Sequence, residues 1–194
     1  MKGMKTIQTK SGLLAVLRDY STADRESVVE LFRKAFSGPP YFENNPSEVI
    51  RDLFRTYEME PDLFFHVVTP IQNGEGETVI GLSIAYRLDL SKFRCLEVPF
   101  EEMGISINSH NIAYGAELAV EPGERWRNQG IATIMMAERI RLVREAGFDY
   151  LIGRTRFDSF TNPIYARFGF IRIEGLADPD FPERRYFVKD LNSA

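Results

Sequence analysis

The chain has 194 residues, 44% of them hydrophobic and 27% charged, enough for one domain (1–194) with a real core and too apolar for a disordered segment. A formal net charge of −4 argues against a broad nucleic-acid footprint, and the single cysteine, Cys95, rules out an internal disulfide. With no run of 18 apolar residues and no cleavable leader in the sequence, the expectation is a cytoplasmic protein with no membrane partner.

In chain order, residues 1–10 read as a short tail and Leu13–Arg18 as a first strand. Ser21 or Thr22 offers a cap for a helix carrying Val28, Val29, Leu31, Phe32, Ala35 and Phe36, which Gly38-Pro39-Pro40 stops. Tyr41 and Phe42 follow in a loop, where two aromatics can plug the end of a core. Asn45-Pro46-Ser47-Glu48 reads as a second helix start, with Asn45 as cap and Pro46 at the first helical position. Leu63–Pro70 and Thr78–Leu88 read as strands of a hairpin joined by 72–76. His66, inside the first, reads as a packed residue. Residues 89–111 form a long connection with Phe93, Cys95, Phe100 and Met103. It suits a lid, an extended hairpin or, with Phe93, Phe100 and Met103 exposed, a homodimer contact.

The central stretch is Ile112–Gly147. Its first part alternates, placing Ile112, Tyr114, Ala116, Leu118 and Val120 on one face and Ala113, Gly115, Glu117 and Ala119 on the other. From about Asn128 to Ala146 the apolar residues Ile131, Met135, Met136, Ile140, Leu142 and Val143 recur at helical spacing, with Arg139 the one polar residue on that arc. Between the two lies Arg127-Asn128-Gln129-Gly130-Ile131-Ala132. A helix start presents unpaired N–H groups and a positive dipole end, and Gly130 and Ala132 remove bulk that would keep a large anion away. The other reading of this turn is tight packing alone. Tyr150–Arg156 reads as a strand, Asn162-Pro163 opens a short helix closed by Gly169, and Phe170–Glu174 and Arg185–Leu191 read as the last strands.

Arg-x-x-Gly-x-Ala after a strand ending Leu-Ala-Val-x-Pro, followed by Asn162-Pro163-Ile164-Tyr165-Ala166-Arg167-Phe168-Gly169-Phe170, resembles the two signatures of the GCN5-related N-acetyltransferase (GNAT) superfamily. The resemblance covers about Leu13 to Leu191. It implies an α/β fold with a mixed, mostly antiparallel sheet of six to seven strands flanked by about four helices. It implies acetyl-CoA as cosubstrate, transferred to a primary amine of a small molecule by direct attack in a ternary complex.

The coenzyme's pyrophosphate would lie on the amides of Asn128, Gln129, Gly130, Ile131 and Ala132. Arg125 and Arg127 both remain open for the family's arginine, since the turn is about two residues longer than usual. The backbone of Leu118 to Val120 would pair with the pantetheine arm, with the Val120 N–H facing the thioester oxygen. Asn162 matches the asparagine that contacts the coenzyme and equally reads as a plain helix cap. Tyr165 matches the family tyrosine near the sulfur, where a phenol can donate a proton to a thiolate. Glu117, on the central strand among small neighbours, is the candidate base; its other reading is a structural carboxylate, and Glu121 is a weaker choice. By the same resemblance Tyr41 and Phe42 would wall the acceptor pocket. No ligand spacing for a metal is present. Two other readings stand beside this one: a protein or peptide acceptor, and a CoA-thioester-binding module without turnover.

Overall fold

The computed structural model describes residues 4–71, 78–103, 105, 112–178 and 180–193. Among these the order is β1 (Lys5–Gln8), β2 (Leu14–Asp19), α1 (Arg25–Ser37), α2 (Ser47–Glu58), β3 (Phe64–Pro70), β4 (Gly81–Arg87), α3 (Glu97–Glu102), β5 (Ile112–Val120), α4 (Ile131–Glu145), β6 (Tyr150–Arg156), α5 (Asn162–Arg167), β7 (Ile171–Ala177) and β8 (Arg184–Asp190). The strands form one sheet in the order β1-β2-β3-β4-β5-β6-β8-β7. Every pairing is antiparallel except β5 with β6.

The mixed α/β architecture is the expected one, but the sheet has eight strands rather than six or seven. The additional strand is β1, in the segment read as a tail. It pairs with β2 from Lys5↔Leu17 to Gln8↔Leu14 and buries Ile7. Four residues with one inward apolar side chain carry too little pattern to announce a strand.

Helices α1 and α2 cover one face of the sheet. Val28, Val29, Leu31 and Phe32 of α1 meet Ile50 and Phe54 of α2 over Leu82, Ile84, Ile112 and Tyr114. The first turn before α1 is fixed by Asp24, which accepts from the Ser21 amide (2.8 Å) and from Arg18 (2.8 Å). Helix α2 starts at Ser47 with Pro46 in the cap position, one residue later than read from the sequence. On the opposite face α4 buries Ile131, Met135, Met136, Ile140 and Val143, and Gly147, with φ +84°, ends it in the left-handed region.

The described part of the 89–111 connection, residues 89–103 and 105, is folded onto the core. Leu96 and Phe100 are fully buried, and Phe93 and Cys95 pack against the same cluster. Phe100 is therefore not available to a second copy, and of the three residues read as a dimer contact only Met103 is exposed. Residues 104 and 106–111, with Ile107 and Asn111, lie outside the described residues, as does the 72–76 hairpin turn. No helix among the described residues is long and apolar enough to cross a membrane.

Two irregularities of β5 shape the centre. Opposite it, Ile84 pairs with Glu117 and Ala85 with Gly115, so Ala116 is an extra, bulged residue. The bulge shifts the alternation by one. Glu117 and Ala119 therefore share the α1/α2 face with Ile112 and Tyr114, while Leu118 and Val120 join Ala113 and Gly115 on the α4 face. This corrects the strict alternation read from the sequence, which put Glu117 beside Ala113 and Gly115. In addition, β5 and β6 pair only from Ile112↔Tyr150 to Gly115↔Gly153. Beyond that point β5 continues along β4 to Val120 and β6 along β8 to Arg156, and a wedge opens between them.

Candidate active site

The wedge leaves backbone groups of β5 without a strand partner. Glu121 donates its N–H to Ile80 on the β4 side (2.9 Å). Since successive amides of a strand point to opposite sides, those of Val120 and Leu118 point into the wedge.

At the wide end stands the start of α4. Asn128 and Gly130 both have positive φ, 60° and 84°. None of the amides from Asn128 to Ala132 has an acceptor among the described residues. The Ile131 side chain is buried in the core, so only its amide faces this end. The β1–β2 turn braces the loop: Lys10 donates its amide to the Gln129 carbonyl (3.1 Å), and the Ser11 amide donates to Gln129 Oε1 (2.9 Å). Lys10 Cε lies 3.7 Å from where a Cβ on Gly130 would stand, which puts a cation beside the anion-suited amides. Sequence reasoning missed Lys10 because only the β1–β2 hairpin brings it there. Arg125 lies over Trp126 (4.8 Å), and Arg127 over Phe160 (5.5 Å) on the opposite bank.

Asn162 is on that bank too. Its Nδ2 donates to the carbonyls of Phe157 (2.8 Å) and Arg156 (3.2 Å), while its Oδ1 is buried and has no partner. The cap position of α5 belongs to Thr161, so the cap reading of Asn162 does not hold.

A cavity of about 370 Å3 runs through the sheet at the narrow end of the wedge. Glu117 lies on its α1/α2 side and Tyr165 on its α4 side. Glu117 is half-buried, and its Oε1 accepts from Tyr57 Oη (2.7 Å). Burial pushes its carboxyl up to about 7, against the lowering effects of the Tyr57 hydrogen bond and the Arg154 charge. Glu121 does not line the cavity; its carboxylate accepts from the Gly123 amide (2.9 Å) in the following turn.

The Tyr165 ring packs on Phe170 (4.6 Å) and Phe187 (5.0 Å), and burial pushes its phenol well above the usual tyrosine range. It is a proton donor, not a phenolate, at neutral pH.

Of the loop aromatics, Tyr41 lines the cavity, its hydroxyl 3.1 Å from Thr155 Oγ1 and 3.0 Å from Ser159 Oγ. Phe42 does not line it and is 70% exposed. Three arginines that the sequence reading did not place there also line the cavity: Arg139, Arg154 and Arg184. Arg154 donates to Asp178, and Arg184 to Glu43 (2.7 Å). Only Arg139 gave a signal, as the polar residue on an apolar helix face. His66 stands apart from the cavity, 3.1 Å from Asp19 on β2, with burial pulling its pKa down.

No protein-family model matches the chain, and no curated protein does. Solved structures do. An acetyltransferase of the GNAT family from Staphylococcus aureus Mu50 superposes with a TM-score of 0.64 at 17% identity, over 92% of this chain and 99% of that one. The ribosomal-protein-S18-alanine N-acetyltransferase of Escherichia coli gives 0.60 at 14% identity, covering 93% and 96%. The PaiA N-acetyltransferase of Thermoplasma acidophilum, in complex with coenzyme A, gives 0.60 at 14%, covering 91% and 98%. The chain has the GNAT fold. Within that fold, the cavity that Glu117 lines lies at the narrow end of the wedge between β5 and β6, and Leu118 lines both.

Gly153 lies under the phenol: a Cβ there would stand 2.1 Å from Tyr165 Oη. Gly153→Ala is expected to displace the Tyr165 ring and lower stability by about 1–3 kcal/mol in urea unfolding. An unchanged unfolding midpoint would show that the phenol does not rest against Gly153.

Proposed function

We propose that the protein is an acetyl-CoA-dependent N-acetyltransferase that modifies a primary amine of a small molecule by direct attack within a ternary complex. The observation that carries this reading is the cavity through the sheet, which joins a carboxyl titrating near neutrality to a protonated phenol across the end of the wedge. Three features fit acetyl-CoA. The unpaired amides of Asn128 to Ala132, with Lys10 beside Gly130, suit a pyrophosphate. The orphaned Asn162 Oδ1 and the open amides of Leu118 and Val120 suit the polar groups of an amide-bearing arm.

Bound there, acetyl-CoA supplies an activated acetyl group. Glu117 takes the proton from the attacking amine, Val120 offers an N–H toward developing negative charge, and Tyr165 offers its proton toward the leaving sulfur. Arg125 and Arg127, at the wide end, are the candidates for outer phosphate contacts.

The acceptor side is walled by α1, α2 and the segment after β4. Phe32, Phe36, Tyr41, Tyr57 and Phe93 line it, an enclosure suited to a small amine. A second reading comes from the S18-alanine acetyltransferase, whose acceptor is a protein. CoA release over a panel of small amines and N-terminal peptides separates the two: turnover confined to peptides would replace the small-molecule reading. Coenzyme binding without release over the whole panel would leave a binding module.

The rate should follow the ionisation of Glu117. As a base it works deprotonated, so kcat/KM rises with pH and levels off above about 7. Glu117→Gln removes that limb and lowers kcat/KM about 10²–10⁴-fold. A pH profile identical in the two proteins would assign the base elsewhere. Gly130→Glu adds a side chain and a negative charge at a position with φ +84° and is expected to weaken CoA binding more than about a hundredfold by calorimetry. Unchanged affinity in the folded variant would move the anion site away from α4.

A further inference from the structure

Gly115 and Gly153 are the last register pair before β5 and β6 part. Neither has a side chain, and on the α4 face two polar groups take the vacated positions. A Cβ on Gly115 would stand 2.7 Å from Arg139 Nη1, and one on Gly153 would stand 2.1 Å from Tyr165 Oη. Gly115 and Gly153 sit on neighbouring strands, so the guanidinium and the phenol lie side by side at the apex of the wedge, and both line the cavity.

Arg139 is 3% exposed. Its Nε donates to Ser83 Oγ (2.9 Å) and its Nη2 to the Glu117 carbonyl at the bulge. Both acceptors are neutral. No carboxylate among the described residues forms an ion pair with it, and burial pulls its pKa down to about 10, still charged at neutral pH. A buried charge without a counter-charge costs several kcal/mol, and such sites concentrate where a charge is to be met during a reaction. The groups facing it are Ser83 from β4, Tyr114 and Glu117 from β5, Tyr165 from α5 and His66 from β3. Of these only Glu117 can be an anion, and its carboxyl projects from the other face of the sheet.

We propose that Arg139 is the counter-charge for the departing coenzyme thiolate, with the Tyr165 phenol as the proton source beside it. The proposal rests on the acetyltransferase reading. In the step concerned the amine nitrogen bonds to the acyl carbon and the C–S bond breaks, its electron pair remaining on sulfur. The amine proton goes to Glu117. The sulfur leaves as a thiolate against Arg139 and takes the phenol proton, which solvent restores. The paired glycines give both groups access: with side chains at 115 and 153, neither polar head reaches the apex.

The test is the titration of the thiol of bound CoA, followed by thiolate absorbance and by the pH dependence of CoA affinity, with desulfo-CoA as the sulfur-free control. In the wild type the bound thiol should titrate about 1–3 units below that of free CoA, so that affinity for CoA, but not for desulfo-CoA, strengthens as pH rises. Arg139→Gln should abolish the shift while desulfo-CoA still binds, and Arg139→Lys should keep part of it. Tyr165→Phe should leave it in place. An unshifted thiol in the wild type, or a shift that persists in Arg139→Gln, would overturn the proposal and leave the coenzyme reading intact. Failure of both CoA and desulfo-CoA to bind the wild type would overturn that reading and the proposal with it.

Discussion

Between Gly115 and Val120, strand β5 has a neighbour on one side only. Backbone amides without partners inside a protein cost free energy, so a sheet does not leave such an edge open without a use for it. Here the opening has two local causes. The extra residue at Ala116 bends and twists β5 away from β6, and β6 is held by seven register pairs to β8, which draws it in the other direction. The remaining features of the site are arranged along this gap: the amides at the start of α4 at its wide end, and the carboxyl and phenol at its narrow end.

The bulge does more than open the sheet. By shifting the alternation it turns the Glu117 side chain onto the α1/α2 face, where Tyr57 meets it, while its carbonyl is held from below by Arg139. Glu117 and Tyr165 thus reach the cavity from the two faces of one sheet, and in the proposed reaction proton acceptor and proton donor would approach from opposite sides. The aromatic enclosure over Glu117 supplies the desolvation that raises its pKa.

Much of this was legible in the sequence. The alternation of Ile112–Val120, the glycine turn and the apolar arc of α4 specified the strand, the helix and the junction between them, and Tyr150–Arg156 appears as read. The bulge was not legible, because Ala116 is a small residue compatible with either face, and the register partner that exposes it lies more than thirty positions away in β4. For the same reason the sequence put Glu117 on the wrong face while naming the right residue for the cavity. Strand β1 and Lys10 were missed because their role depends on pairing with β2, a contact with almost no local pattern. Phe42 follows Tyr41 directly, and nothing in composition separates the ring that lines the cavity from the one left exposed; the positive φ of Phe42 does.

The central claim is that the open edge of β5 receives the coenzyme's arm. Residue-resolved amide hydrogen exchange of the protein with and without CoA tests it most directly. The account predicts that CoA slows exchange at Leu118 and Val120, whose amides point into the wedge, and leaves Ala119, on the β4 side, unchanged. Protection that is absent at Leu118 and Val120 while CoA is bound would contradict it.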